Sequence, residues 1–214
     1  MNDKNFEFYN KMGVDPFKEL AVKGGFNTFV DLELIYPYLK NSKNILELGA
    51  GYGRCIDFFI QKGFSGKIIA VEQSESLMNH LRSKYHTSKN VELLQEDIKE
   101  LQLKEKTDAA LWMWSGLIDF SKDQQFLCLQ KTFGMLNEEG KVFIDIPRIG
   151  FPTIGHHKDA KNLSYETPFG TLNCYIPDEQ DMKEVQKEIG YQELKILSYK
   201  TVTDKERTIY MLVK

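Results

Sequence analysis

The chain has 214 residues, of which 42% are hydrophobic and 28% are charged. This composition is ordinary for a globular protein and excludes a disordered, collagen-like or coiled-coil chain, while the length predicts one domain. The net charge is −3, and the basic and acidic residues are interspersed. This pattern argues against a nucleic-acid partner, which normally requires a clustered basic face.

The cysteines and the apolar segments bear on location. Cys55, Cys128 and Cys174 form no C-x-x-C pair, so we expect reduced thiols in a cytoplasmic protein and no zinc site. The N-terminus lacks the basic and apolar regions of a signal peptide. No apolar stretch approaches 18 residues, so no membrane span is expected.

The first part of the chain, residues 1–43, predicts a helical cap. It is rich in aromatic residues, and from Asn27 to Leu39 apolar residues recur at helical offsets. Pro37 is expected to disturb this helix.

Residues 44–147 alternate short apolar runs with helical segments, which predicts a core of parallel β-α-β units with a sheet covered on both faces. The predicted strands are 45–48, 67–72, 91–95, 109–114 and 141–146. The predicted helices are 52–61, one that begins after an N-cap at Ser74, and one that runs from Ser121 to Leu136. Trp112 and Trp114, two residues apart on the fourth strand, are expected to share one face.

The alternation breaks at residues 148–177, where prolines, glycines and the pair His156-His157 interrupt helical periodicity. A connection of this length predicts a substrate lid or a small hairpin. Residues 178–214 then predict the closing elements of a single domain. These are a helix over 178–189 and two antiparallel strands over 193–202 and 207–213.

The first strand runs into a glycine-rich turn that opens the next helix. Residues 45–54 read I-L-E-L-G-A-G-Y-G-R. Glycine tolerates positive φ and lets a ligand approach the backbone, and free amides at a helix N-terminus favour a carboxylate or phosphate. The turn therefore predicts a ligand crevice at the carboxyl ends of the strands. Its G-x-G-x-G spacing differs from the G-x-G-x-x-G of dinucleotide-binding folds.

Three acidic residues lie near the ends of the first three strands. Glu47, Glu72 and Asp97 recur at 25-residue intervals, and the carboxyl ends of parallel strands meet at one edge of a sheet. A carboxylate at Glu72 suits a ribose diol, and one at Asp97 suits an adenine amino group. We expect all three carboxylates on the same rim of the crevice.

With these residues the chain resembles the class I S-adenosylmethionine-dependent methyltransferases, over residues 45 to about 146 and in the closing helix and hairpin. The resemblance implies a Rossmann-like, doubly wound α/β fold with a seven-stranded, mainly parallel sheet. It also implies S-adenosylmethionine as the cofactor. The implied cofactor contacts are Glu47 to the methionine amino group, Gly49, Ala50 and Gly51 around the methionine moiety, Glu72 and Gln73 at the ribose, Asp97 and Ile98 beside the adenine, and Trp114 beside the sulfonium.

The segment after the fourth strand bears on the methyl acceptor. It reads Trp114-Ser115-Gly116-Leu117, without the Asp/Asn-Pro-Pro-aromatic or Pro-Cys signatures of family members that methylate nucleobases. It resembles members that act on small molecules, so a small-molecule acceptor is expected.

Three residues are candidates for catalysis. His156 and His157 in the lid can act as general bases, unless they are simply exposed loop residues. Tyr9 can close over the cationic cofactor, unless it only packs.

Other functions remain open at this stage. A nicotinamide-dependent oxidoreductase can use a similar sheet, and a non-catalytic S-adenosylmethionine-binding protein can retain the same pocket. No metal is expected, because only Asp119 and Asp145 are near the fourth strand. The pattern leaves the oligomeric state undetermined.

Overall fold

The computed structural model describes residues 3–148, 156–157 and 161–214, with the backbone alone for Asp3, His156 and His157. Its helices are α1 (Asp3–Met12), α2 (Val14–Gly24), α3 (Val30–Leu39), α4 (Arg54–Gln61), α5 (Glu75–Tyr85), α6 (Lys122–Met135) and α7 (Glu179–Ile189). Its strands are β1 (Asn44–Leu48), β2 (Lys67–Val71), β3 (Val91–Leu94), β4 (Thr107–Trp112), β5 (Leu136–Pro147), β6 (His156–His157), β7 (Asn162–Thr167), β8 (Gly170–Tyr175), β9 (Glu193–Lys200) and β10 (Glu206–Val213).

Seven strands form one sheet in the order β3-β2-β1-β4-β5-β10-β9. The first five of these are parallel to one another, whereas β10 is antiparallel to both β5 and β9. The predicted Rossmann-like, mainly parallel sheet with a C-terminal antiparallel hairpin is confirmed. Because β1 lies between β2 and β4, the strand order reverses beside β1, and a crevice is expected there at the carboxyl ends.

Helices cover both faces of this sheet, as the alternation predicts. Leu46 and Leu48 of β1 belong to a buried cluster that includes the apolar faces of α6 and α7. Ile45 belongs to a second cluster with α3, α4 and α5. Since successive strand residues point to opposite faces, a single strand supplies both cores.

The end of β4 differs from the prediction. The strand ends at Trp112, and Trp114 lies beyond it with φ at +45°. The Trp114 amide donates to Asp145 Oδ2 at 2.9 Å, and the Ser115 amide donates to the Asp145 carbonyl at 2.9 Å. These bonds turn the chain off the sheet, so the expectation that Trp112 and Trp114 share a strand face is wrong. Trp112 is fully buried in the sheet core, and Trp114 packs with aromatic rings of the N-terminal segment.

The two predicted serine caps have different outcomes. Ser121 caps α6 in a capping box with Gln124, which confirms that prediction. Ser74 stands at the N-cap position of α5, but its side chain makes no capping bond. Its hydroxyl lies 3.2 Å from that of Ser76, and its amide donates to Glu72 instead.

The insertion between β5 and α7 contains a small antiparallel sheet, β6-β7-β8, so it includes a hairpin, one of the two forms predicted. The N-terminal helix α1 is fastened to this hairpin by Asn5, whose side chain is fully buried. Asn5 Nδ2 donates to the carbonyl of Asn173 at 2.7 Å and to that of Asp119 at 3.0 Å, and Asn5 Oδ1 accepts from the Asn173 amide at 2.9 Å. The segment's role as a substrate lid stays a prediction. In the part of the chain that the structure describes, no helix has the length and apolar character needed to cross a bilayer.

Candidate active site

The turn after β1 uses glycine where the backbone requires it. Gly49, Gly51 and Gly53 have φ values of +82°, +57° and +88°, a region that L-residues with a side chain rarely adopt. A Cβ on Gly49 would meet no atom within 4 Å, so the space beside this residue is open. A Cβ on Gly51 would lie 2.8 Å from the ring of Phe17. The turn therefore forms one open wall of a pocket at the end of β1.

The amides of Gly49, Ala50 and Gly51 are not free, and for these three the expectation of bare donors for an anion is wrong. Gly49 and Ala50 both donate to the carbonyl of Val71, at 3.0 and 2.9 Å. Gly51 donates to Glu72 Oε2 at 2.8 Å. The oxygens of Val71 and Glu72 accept these hydrogen bonds because the end of β2 lies directly beside the turn. What the turn contributes is close backbone approach, and the nearby charge is negative.

Glu72 joins two backbone segments from a nearly buried position. Its Oε2 accepts from the Gly51 amide, and its Oε1 accepts from the Ser74 amide at 2.8 Å. Burial raises the pKa of this carboxyl, although the backbone donors oppose that shift. A carboxylate has about four acceptor sites, so Glu72 retains capacity for a ligand hydroxyl beyond the two amides.

Glu47 presents an unused acceptor. Its side chain is buried, and among the described residues its Oε2 has no hydrogen-bond partner. Burial raises the pKa of Glu47 to about 8, while contact with the Cys55 thiol and the charge of Arg54 act in the opposite direction. An unpaired buried acceptor is costly unless a donor arrives. Glu47 is therefore suited to a ligand that brings a positively charged donor.

The third predicted acid is more exposed. Asp97 Oδ1 accepts from the Lys99 amide at 2.9 Å, and its Oδ2 lies 3.5 Å from Gln73 Nε2. Ile98 beside it is buried and contributes an apolar surface. An edge with a carboxylate, an amide and an apolar side chain suits a flat polar ring.

Aromatic rings from the N-terminal helices close the pocket on another side. Phe17 stacks on Trp114 with ring centroids 4.9 Å apart, and it contacts Tyr9 at 5.7 Å and Tyr52 at 5.6 Å. The faces of such rings attract cations and exclude water.

All nine residues predicted to hold the cofactor line one pocket, together with Tyr9. The three acidic residues at the strand ends therefore line the same pocket, as the sequence predicted. The nine are Glu47, Gly49, Ala50, Gly51, Glu72, Gln73, Asp97, Ile98 and Trp114.

For the two predicted histidine bases, the structure describes the backbone alone. The backbone of His156 and His157 pairs with Ser164 and Leu163 of β7, but their side chains lie outside the described residues. Their role as general bases stays a prediction.

Sequence reasoning missed Asp119 as a residue of this pocket and considered it only as a metal ligand. Asp119 lies in a 3-10 turn (Gly116–Asp119) after β4, is buried, and lines the pocket. Its Oδ2 accepts from the Tyr9 hydroxyl at 2.7 Å, and burial raises the pKa of Asp119 to about 7. The available signal was an acidic residue between Ile118 and Phe120, since an acid in an apolar run demands a reason.

A second cavity, here called the outer chamber, adjoins the pocket. It is lined by residues of the N-terminal helices, the 3-10 turn, the β7–β8 hairpin and the ends of β5 and β10. Its apolar lining includes Phe8, Met12, Phe26, Ile118 and Leu172. Within the described ranges, no group of three or more His, Cys, Asp or Glu side chains is arranged to hold a metal ion.

Comparison with known proteins identifies the core. The sequence profile of the family described as "Methyltransferase domain" matches residues 45–140. Residues 45–140 are a methyltransferase domain. This confirms the resemblance predicted from the glycine turn and the strand-end acids. The match contains β1 to β4 and α4 to α6, which supply most of the pocket. A comparison with curated protein sequences gives no match.

Solved structures share the fold around this methyltransferase domain. The CcbJ methyltransferase from Streptomyces caelestis is 14% identical, with a TM-score of 0.73 and 98% of each chain covered. A 1,6-didemethyltoxoflavin-N1-methyltransferase from Burkholderia thailandensis, with bound 1,6-didemethyltoxoflavin and S-adenosylhomocysteine, is 14% identical. Its TM-score is 0.67, and the match covers 94% of this chain and 83% of that one. The amino pentose methyltransferase CalS10 from Micromonospora echinaspora, with bound S-adenosylmethionine, is 11% identical, with a TM-score of 0.63 and coverages of 91% and 96%.

Proposed function

We propose that the protein transfers a methyl group from S-adenosylmethionine to a small-molecule acceptor. The observation that carries this proposal is the Oε2 of Glu47, which has no hydrogen-bond partner among the described residues and lies in a pocket beside a glycine turn that leaves open space. The amino group of S-adenosylmethionine is a cationic donor of the kind that this buried acceptor lacks. The methyltransferase domain over residues 45–140 supports the same reading.

The pocket residues fit the parts of this cofactor in chain order. Glu47 would accept from the amino group, and the turn around Gly49 would pack against the methionine chain. Glu72 would accept from a ribose hydroxyl with its remaining lone pairs. Asp97 and Ile98 would flank the adenine. These remain proposed roles, and they are supported by the position of each residue in the lining of one pocket. The remaining proposed contacts are Ala50, Gly51, Gln73 and Trp114.

When bound, the cofactor supplies a methyl group activated by its sulfonium charge. The protein's contribution is to bind, align and exclude water. The ring faces of Phe17 and Trp114 favour a cation in this pocket. A cationic ligand would in turn favour the ionised forms of the buried Glu47 and Glu72 carboxyls. An anionic phosphate is not favoured beside Gly49, Ala50 and Gly51, since the amides of these residues are already bonded to protein oxygens.

A small acceptor is supported by two observations. The outer chamber adjoins the pocket and is lined mostly by apolar side chains, a lining typical of small-molecule sites. Two structural neighbours with related folds are named for small substrates, 1,6-didemethyltoxoflavin and an amino pentose. A cytoplasmic location is proposed on the three free, buried cysteines, which suit a reducing compartment.

Ligand binding tests this function directly. S-adenosylhomocysteine at saturating concentration should raise the melting temperature, because a ligand that binds only the native state stabilises it. NADH should leave the melting temperature unchanged. Transfer of labelled methyl groups to a mixture of small metabolites then separates an enzyme from a non-catalytic binding protein. A shift with NADH and none with S-adenosylhomocysteine would overturn the proposal in favour of an oxidoreductase.

A further inference from the structure

The candidate cofactor pocket and the outer chamber share one wall. Four residues line both cavities: Tyr9, Phe17, Trp114 and Asp119. Among the described residues, Asp119 is the one carboxylate that lines both. A ligand in either cavity therefore lies beside its side chain.

Asp119 also differs from the other buried aspartates. Asp31, Asp145 and Asp181 each form an ion pair with an arginine or lysine. Across the described part of the chain, Asp119 forms no such pair, and its closest polar partner is the Tyr9 hydroxyl. A buried carboxyl without a cation costs stability. The hydrogen bonds that Asp119 accepts from Tyr9 and Cys174 come from uncharged donors and offset only part of that cost.

We propose that Asp119 is the catalytic base that accepts the proton from a hydroxyl or amino nucleophile, carried by a flat, apolar acceptor that binds in the outer chamber. Tyr9 is its positioning residue. The inference rests on the proposed methyl transfer and adds the acceptor class and the proton acceptor.

A hydroxyl or amino nucleophile loses a proton on methylation, and Asp119 would accept it. The acceptor's oxygen or nitrogen forms the new bond to the methyl carbon with its lone pair. The sulfur keeps the electron pair of the broken S–C bond, and the acceptor's O–H or N–H proton passes to the Asp119 carboxylate. Solvent then removes this proton before the next turnover.

The titratable groups that face Asp119 stay protonated, so that Asp119 is the group among them that can accept a proton. Burial and the charge of Asp119 raise the pKa of Tyr9 well above its ordinary value, so Tyr9 stays a neutral donor. The Cys174 thiol, 3.8 Å from Asp119 Oδ1, also has a raised pKa, because of burial and the same charge. Tyr9 from α1 and Cys174 from β8 are the titratable groups in contact with Asp119 in the described structure. With a pKa of about 7, Asp119 is matched to neutral pH.

The lining of the outer chamber determines the acceptor class. Its apolar rings and side chains make up most of the lining and offer contact area. Besides Asp119, the charged residues of the lining are Lys23, Lys205, Glu206 and Arg207. Arg207, which reaches its edge, is already paired with Asp145 at 3.0 Å. A flat acceptor with one protic nucleophile fits this wall better than a highly charged one.

The test first separates this inference from the function on which it rests. Binding of S-adenosylhomocysteine to wild type, measured by calorimetry, establishes the cofactor site; without it the proposed function itself fails. Asp119→Asn should bind the same ligand within about threefold of wild type. Asp123→Asn, an exposed aspartate in the first turn of α6, is the matched control.

Methyl transfer is then measured with probe acceptors of one shape. The probes are 2-naphthol and 2-aminonaphthalene, which carry a proton on the nucleophile, and 2-(methylthio)naphthalene, which does not. Wild type should label the protic probes, with a rate that rises with pH to a midpoint near 7 and then levels off. Asp119→Asn should lower that rate by about 10²–10⁴-fold, the usual contribution of a general base. Asp119→Glu, which keeps a carboxylate, should recover part of the loss.

A readout independent of turnover completes the test. In protein labelled with ¹³C at the aspartate carboxyls, one resonance should titrate near pH 7 in wild type and be missing in Asp119→Asn. Tyr9→Phe should move this midpoint upward, because the lost hydrogen bond favours the charged form. The inference is overturned by a transfer rate in Asp119→Asn within threefold of wild type, by equal labelling of the thioether, by no labelling of any probe despite cofactor binding, or by an ordinary titration midpoint for Asp119.

Discussion

Glu72 holds the amide of Gly51 with its Oε2 at 2.8 Å, and this bond joins the end of β2 to the turn after β1. The other oxygen of Glu72 holds the amide of Ser74 at the start of α5. One buried side chain thus fixes two turns that form adjacent walls of the candidate cofactor pocket. The glycine turn and the acid at the second strand end act as one structural unit.

Glu72→Gln should therefore loosen the pocket as well as remove a charge. The glutamine amide can accept from only one of the two backbone donors, and a hydrogen bond to a charged group contributes about 1.5–3 kcal/mol. We expect the affinity for S-adenosylhomocysteine to fall by about 10- to 100-fold in calorimetry. Glu75→Gln, at an exposed position in the first turn of α5, should leave it unchanged, and equal losses in both variants would contradict the role of Glu72.

Glu47 predicts a pH dependence. Its pKa is raised from 4.5 to about 8 in the folded protein, so the folded state binds more protons than the unfolded state between these values. This carboxyl therefore makes the ligand-free protein less stable as pH rises from about 4.5 to about 8. An ammonium ligand needs the ionised form, so the affinity for S-adenosylhomocysteine should rise toward pH 8. Glu47→Gln should weaken binding and flatten both pH dependences, that of the unfolding free energy measured with urea and that of the affinity measured by calorimetry. The control variant Glu96→Gln should retain both pH dependences.

Substitution of Gly51 tests whether the ligand closely approaches the backbone of the turn. Gly51→Ala places a Cβ 2.8 Å from the Phe17 ring and forces an L-residue to φ +57°. Gly63→Ala has the same kind of strain, at φ +67°, but its Cβ meets no atom within 4 Å. Both variants should lose about 1–2 kcal/mol of unfolding free energy through the backbone. Only Gly51→Ala should weaken S-adenosylhomocysteine binding, by tenfold or more. Similar binding in the two variants would argue that the turn does not touch the ligand.

The ion pair of Arg54, a residue of the pocket lining, predicts an effect on stability. Arg54 donates to both carboxylate oxygens of Asp31, at 2.9 and 2.5 Å, and both side chains are buried. Arg54→Ala leaves the Asp31 charge without its partner and should lower the unfolding free energy by about 3–5 kcal/mol. Lys62→Ala removes a more exposed pair with Glu33 and should cost less than about 1 kcal/mol. Denaturant unfolding of both variants measures the difference, and comparable losses would contradict it.

Periodicity in the chain was sufficient to predict the sheet and its closing hairpin, because apolar alternation follows directly from burial. The turn motif and the three acids at 25-residue intervals also predicted one shared rim, since parallel strands end on the same edge. The sheet, the hairpin and the shared rim could therefore be predicted without the tertiary structure. Boundaries were less certain: β4 ends two residues early, because the amides of Trp114 and Ser115 bond to Asp145.

The sequence by itself determined the fold class, the methyltransferase resemblance and the set of pocket residues around Glu47, Glu72 and Asp97. Only the tertiary structure decided that the turn amides are bonded to Val71 and Glu72, so that the pocket suits a cation. It also decided that Tyr9 meets Asp119, 110 positions away in the chain. Local patterns report burial and chain direction, whereas hydrogen-bond partners between distant segments depend on how the elements pack.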